Sequence, residues 1–220
     1  MYQERASMLP GVVAWRVVQP ATAASRVLPD GCLDIIWHDG EVFVAGPDTT
    51  AQVGTTPGGS RFAALRFAGG TGPAVLGLPA CELTDRRVPL DDLWPAALVR
   101  RLAAADDPAA ALEAAVSRRW LRPDPLMVAV QAWARAGWTV NAMSAACGLS
   151  ERHLHRRCLA AFGYGPKMLT RILRMRRALA LARGGRPFAE VAALAGYADQ
   201  AHLSRDVRRL TGVTLGELLR

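Results

Sequence analysis

Apolar and polar positions along this chain change their period once, near residue 90. Before that point the clearest pattern is alternation. Leu33-Asp34-Ile35-Ile36-Trp37-His38 and Glu41-Val42-Phe43-Val44-Ala45 flank Asp39-Gly40. Asp-Gly between β-branched and aromatic runs predicts a two-residue hairpin, because a type I′ turn needs positive φ at both central positions. Arg61 to Phe67 reads as another strand and Ala74 to Leu78 as a short one. The Gly- and Thr-rich stretches at Gly54–Ser60 and Gly69–Pro73 read as loops. After Pro89 the spacing becomes helical. Two Ala-rich amphipathic segments, about 91–104 and 107–119, are separated by Asp106-Asp107-Pro108. Leu121-Arg122-Pro123-Asp124-Pro125 predicts extended chain and a domain boundary. Beyond it the pattern is helical almost to the end, punctuated by glycine.

That last segment repeats. Leu154 and Leu203, Arg156 and Arg205, and Gly163 and Gly212 are each 49 residues apart, while Gly148 and Gly196 are 48 apart. Each copy reads as helix, glycine turn, helix. Val140, Met143 and Ala146 form the apolar face of the first short helix, and Val191, Ala192 and Ala195 that of the second. Gly148 and Gly196 fall where a helix ends with positive φ, and Ser150 and Asp199 suit the N-cap of the next helix. In that next helix Leu154 and Cys158 face inward, with Arg152, His155, Arg156 and Leu159 on the other stripe. In the second copy Leu203 and Val207 face inward, and Gln200, Ser204, Arg205 and Arg208 outward. A helix from about Lys167 to Arg183 joins the copies. Its inward stripe is Ile172, Met175, Leu179 and Ala182, and Lys167, Arg171 and Arg174 lie opposite as candidate phosphate contacts.

Charge sharpens this reading. The 220 residues carry a formal net charge of +8, with 51% hydrophobic and 21% charged residues, a globular composition that excludes disorder and disulfide-stapled peptides. The charge is segregated. Residues 1–120 hold 11 basic and 13 acidic side chains, whereas residues 121–220 hold 16 and 6. A local excess of cations over a repeat of outward Arg, His, Gln and Ser is the footprint of a double-stranded DNA partner. Arg bonds guanine bidentately and Gln does the same for adenine. Two such heads on a spacer of about 17 residues match successive major grooves, about 34 Å apart on one face of B-DNA.

Residues about 135–219 resemble the AraC-type helix-turn-helix domain. The resemblance rests on Gly148-Leu-Ser-Glu-Arg-His-Leu-His-Arg-Arg157, Gly163-Tyr-Gly-Pro166, Arg174-Met-Arg-Arg-Ala-Leu179 and the run Glu190 to Arg205. It implies a seven-helix, two-headed promoter reader. Carried over by position, the base-facing residues are Arg152, His155 and Arg156 in one head and Gln200, Ala201, Ser204 and Arg205 in the other. Cys158 and Val207 stand where that family generally has Phe, Leu215 where it commonly has Pro, and Ser144 where it has a small Ala. Val27 to Trp37, Ala45 to Thr49, Arg66-Phe67, Leu76-Gly77 and Val88 to Trp94 resemble the cupin-like sensor of a subgroup of these regulators, with Gly69-Gly70 in place of the usual Pro-Gly. Such sensors take a small effector or mediate dimerisation.

The expected fold is therefore α+β. A β-rich cupin-like sensor with trailing helices (1–120) precedes an all-α double helix-turn-helix domain (125–220), a regulator rather than an enzyme. Aromatics of the first half supply either an ordinary core or an effector pocket, with Trp37, Phe43 and Phe67 as its candidate lining. Expected partners are promoter DNA, a small-molecule effector, a second copy of the chain, and RNA polymerase in the case of an activator; no cofactor and no metal is expected. Rival readings are a thiol-based redox or alkylation sensor using Cys32 or Cys81, and a cupin-type enzyme fused to a DNA-binding domain. The second lacks clustered ligands, since His38 is the only histidine before residue 153. The N-terminal residues show no signal peptide and no run spans a bilayer, so a cytoplasmic location is expected.

Overall fold

A computed structural model describes residues 2–220. The N-terminal part holds eight strands: β1 (Tyr2–Ala6), β2 (Val12–Val18), β3 (Ala23–Val27), β4 (Leu33–His38), β5 (Glu41–Ala45), β6 (Gln52–Thr56), β7 (Arg61–Phe67) and β8 (Arg87–Pro89). Six form an antiparallel sheet in the order β1-β2-β7-β4-β5-β8, and β3 pairs with β6 as a separate two-stranded ribbon. Asp39 and Gly40 close the β4–β5 hairpin with φ of 46° and 96°, as an Asp-Gly turn requires.

Strand alternation divides the six-stranded sheet into two chemically different faces. Leu33, Ile35, Trp37, Val42, Val44, Ala63, Leu65 and Phe67 are buried on one face. Three helices cover it: α1 (Gly72–Leu76), α2 (Ala96–Ala103) and α3 (Pro108–Ser117), which contribute Val75, Leu76, Val99, Leu102, Leu112 and Val116. Trp15, Asp34, Ile36, Phe43, Phe62 and Arg66 lie on the other face, toward the ribbon.

Three local expectations are corrected. The run Ala74 to Leu78 is not a strand, because Pro73 sits in the first turn of α1 and Gly77 ends it at φ 81°. Val75 and Leu76 then meet the core at helical spacing. The stretch read as a loop from Gly54 begins inside β6, where Thr55 and Thr56 pair with Ala24 and Ala23. The helix expected from residue 91 is two pieces, a 3₁₀ turn at Leu90–Asp92 and α2, which starts only after Pro95.

Seven helices follow: α4 (Pro125–Arg135), α5 (Val140–Cys147), α6 (Glu151–Phe162), α7 (Pro166–Arg183), α8 (Phe188–Ala195), α9 (Gln200–Thr211) and α10 (Leu215–Leu218). They enclose a second core. Ile172, Met175, Leu179 and Ala182 of α7 are buried at its centre, with Met143, Leu154, Cys158, Val191, Leu203 and Val207 around them. Ala146, expected on the apolar face of α5, is exposed instead. Cys158 and Val207 are fully buried, each filling less volume than an aromatic ring would.

The two cores meet. Leu28 packs against the helical core, and the Thr84 hydroxyl donates to the carbonyl of Gly163 at 2.9 Å. Gly69 explains the unusual Gly-Gly pair. A Cβ there would lie 2.7 Å from the Gly31 carbonyl and 2.6 Å from the Gln131 amide, and one on Gly70 would lie 3.0 Å from the Phe162 ring at the end of α6. Glycine at this point lets the β7–α1 loop touch the helical part.

Candidate nucleic-acid interface and the cavity behind the sheet

Each glycine turn of the repeat is built the same way. Gly148 ends α5 at φ 64°, Leu149 N–H donates to the Ser144 carbonyl at 3.0 Å, and the Ser150 hydroxyl accepts from His153 N–H at 3.2 Å to open α6. In the second copy Gly196 has φ 84°, Tyr197 N–H donates to the Ala192 carbonyl at 2.9 Å, and Asp199 accepts from His202 N–H at 2.6 Å to open α9. These are paired C-terminal and N-terminal caps, so the angle between the helices of each unit is fixed by backbone and side-chain capping hydrogen bonds.

The caps orient the outer faces of α6 and α9. Arg152, His155, Arg156, Gln200, Ala201, Ser204 and Arg205 are all exposed. Among the described residues no side chain bonds or pairs with Arg152, Arg156, Gln200, Ser204 or Arg205, so their donors are free for a ligand. Leu154, Cys158 and Phe162, and Leu203, Val207 and Leu210, anchor the opposite stripes in the core.

Two of the three candidate phosphate contacts on α7 have a partner within the domain. Lys167 is exposed, but Arg171 and Arg174 turn toward α9, where both pair with the buried carboxylate of Asp206, Arg174 at 3.2 Å. The Arg174 guanidinium also lies 4.2 Å from the centroid of the Tyr197 ring, and the Tyr197 hydroxyl donates to Asp206 at 3.2 Å. Burial, and then the nearby Asp206, push the Tyr197 phenol up to about 12. These arginines hold α9 on the spacer. The sequence could not separate them from surface cations, because their partner lies on a helix more than 30 residues away. The exposed cations of α7 are Lys167, Arg176, Arg177 and Arg183.

A second site lies between the six-stranded sheet and the ribbon, a cavity of about 320 Å³, at the lower end of the usual range for ligand pockets. Trp15, Val17, Ile36, Phe43 and Phe62 line its sheet side, and Ser25, Val27 and Thr56 of the ribbon line the other. Of the expected pocket residues only Phe43 is here. Trp37 and Phe67 occupy the opposite face of the sheet, since strand residues of unlike parity point apart. The Trp37 indole N–H donates to the Ala103 carbonyl of α2 at 2.9 Å. Parity along β4 was readable; which face meets the helices was not.

Charged groups converge on the cavity. Asp34 accepts from the Trp15 indole at 2.9 Å and from Arg66 Nε at 3.2 Å. Burial raises the Asp34 carboxyl, and Arg66 opposes that shift. Arg87 donates to both oxygens of Asp48 at 3.1 Å. Asp30 accepts from Cys32 N–H at 2.9 Å, and its second oxygen lies 3.9 Å from Arg66 Nε. The Cys32 thiol is pushed strongly up by burial and then by Asp30 and Asp34, and burial takes Cys158 up to about 12. Both stay protonated near neutrality, which disfavours a thiolate sensor at these positions. No group of three or more His, Cys, Asp or Glu among the described residues could hold a metal ion, and no helix is long and apolar enough to cross a membrane.

Two capped helix pairs on one spacer, presenting free polar side chains from a cationic segment, define a DNA-binding module. Residues 143–220 match a family described as a helix-turn-helix domain, and residues 12–89 match one described as a domain of unknown function. No curated protein matches the chain. Solved structures that align with this chain include the C-terminal domain of AraT, a response regulator from Geobacillus stearothermophilus, at 21% identity and TM-score 0.42 over 46% of this chain and 88% of that one. A probable AraC family transcriptional regulator from Rhodopseudomonas palustris aligns at 24% identity and TM-score 0.38, over 44% of this chain and 95% of that one. Fatty-acid-bound ToxT from Vibrio cholerae aligns at 13% and 0.49, over 100% and 97%. Ligands and residue roles of those structures belong to those proteins. Residues 143–220 match a helix-turn-helix domain, the family assignment that the DNA-binding geometry of α5–α6 and α8–α9 supports.

Proposed function

We propose that α6 and α9 enter two adjacent major grooves of an asymmetric promoter site. Arg156 and Arg205 are the leading base readers, flanked by Arg152 and His155 in one head and by Gln200, Ala201 and Ser204 in the other. Lys167 supplies a phosphate contact. The observation that carries this reading is the matched exposure of Arg156 and Arg205, 49 residues apart, on helices with identically placed caps. Arg forks suit guanine O6 and N7, and a spacer of 18 residues extends about 27 Å at 1.5 Å per residue.

The cavity is the effector site in this proposal, and the ribbon connects it to the reader. Arg26 donates to the Thr211 carbonyl at the end of α9, and Ala51 N–H donates to the Leu210 carbonyl at 2.8 Å. Leu28 lines the cavity and also packs on the helical core. A ligand that shifts the ribbon therefore acts on the element that seats the second head. Selecting bound fragments from a genomic library of the source organism, then titrating the enriched site with salt, tests the DNA part. Recovery of one asymmetric motif with a steep salt slope is expected. Recovery of no motif, or binding that ignores salt, contradicts it.

A further inference from the structure

The charge on the cavity wall does not cancel. Arg87 is fully engaged by Asp48 through a two-point contact. Arg66 faces two carboxylates, bonding Asp34 and lying at 3.9 Å from the second oxygen of Asp30. Three aspartates thus meet two arginines, and Asp30, bonded by Cys32, has no arginine within hydrogen-bond distance, Arg66 Nε lying 3.9 Å away. The Cys32 thiol stays neutral there and adds no charge. Around this excess negative charge stand the aromatic rings of Trp15, Phe43 and Phe62. Aromatic faces attract cations and repel anions. A ligand anion placed at Arg66 would make a third carboxylate around one guanidinium, which is unfavourable at short range in a partly buried site.

We propose that this cavity binds a small organic cation, an amine with an apolar or aromatic body, with Asp30 as its counter-charge and Trp15, Phe43 and Phe62 enclosing the body. The site lies beside a part of the reader. The Tyr164 hydroxyl is buried without a hydrogen-bond partner and lies 3.5 Å from where a Cβ on Gly31 would be, next to Asp30 and Cys32. Cation binding at Asp30 therefore acts on the loop that Tyr164 and Leu169 hold from the helical side. The proposal rests on the effector reading of the cavity given above.

Calorimetry on the full chain without DNA tests it, using 2-phenylethylamine, its uncharged analogue 2-phenylethanol and the carboxylate 3-phenylpropionate as probes. The amine is expected to bind one to one and at least tenfold more tightly than the other two. Asp30→Asn should weaken it about tenfold, and Thr56→Trp, which fills the cavity and leaves Asp30 in place, should abolish it. Circular dichroism and DNA binding of both variants report whether they are folded. Tighter binding of the carboxylate, equal binding of all three, no binding of any probe, or amine binding that survives Asp30→Asn in a folded protein overturns the proposal. Because DNA is absent, failure here leaves the promoter-reading result standing, and failure to bind DNA leaves this result standing.

Discussion

Arg26 on the β3–β6 ribbon donates through Nη1 to the main-chain carbonyl of Thr211, the last residue of α9, at 2.6 Å. The contact joins the exposed two-stranded ribbon to the end of α9. It is also well placed chemically, because a helix C-terminus carries unpaired carbonyls and partial negative charge.

A two-stranded ribbon is marginal alone in water, so its order depends on such tethers. Arg26→Ala should leave the global unfolding midpoint nearly unchanged, since Arg26 is exposed. Hydrogen exchange of the amides in residues 23–27 and 52–56 should become faster, while β4 and β7 stay protected. Unchanged protection of the ribbon would show that Arg26 does not hold it.

Asp206 is the centre of the α7–α9 joint. Asp206→Ala leaves Arg171, Arg174 and the Tyr197 hydroxyl without their common partner. Removing one member of a buried ionic cluster typically costs about 3–5 kcal/mol, so urea unfolding should shift strongly. Arg171→Ala should lower stability and leave the salt slope of DNA binding unaltered, whereas Lys167→Ala should reduce that slope by about one. The reverse assignment would restore Arg171 as a phosphate contact.

Glu113 gives a pH-dependent term. Its hydrogen bond with Arg5, then those with Ser7 and the Met8 amide, hold its carboxyl at about 2, below the ordinary value of 4.5. A depressed carboxyl stabilises the fold above the unfolded-state value, and the stabilisation is lost as pH falls from about 4.5 toward 2. After discounting for the exposed Arg5, the contribution is on the order of 1–2 kcal/mol. Glu113→Gln should destabilise the chain near neutral pH and converge with the unmodified chain near pH 2. A constant difference across that range would assign the loss to packing instead.

The sequence was most informative where local chemistry determines structure. Gly148, Gly196, Ser150 and Asp199 act within a few residues of themselves, so the caps, the turns and the outward stripes were legible. So was the Asp39-Gly40 hairpin. What failed depended on distant partners. Aromatic content alone marks Trp37 and Phe67 as pocket candidates, because it does not say which sheet face the helices cover. The partner of Arg171 and Arg174 is invisible in the sequence because Asp206 meets them only in three dimensions. The ribbon was missed because Gln52 to Thr56 is short, exposed and polar, and its strand character comes from pairing with β3.

Methylation interference at guanine N7 on the selected DNA site, run with the unmodified chain, Arg156→Ala and Arg205→Ala, tests the central claim most directly. The account predicts two patches of interference on one face of the duplex, about one helical turn of 10–10.5 bp apart. Arg156→Ala should erase interference in one patch and Arg205→Ala in the other, each costing about 1–3 kcal/mol and relaxing preference at a single position. A single patch, or equal weakening of all sequences by both variants, would contradict a reader with two base-contacting heads.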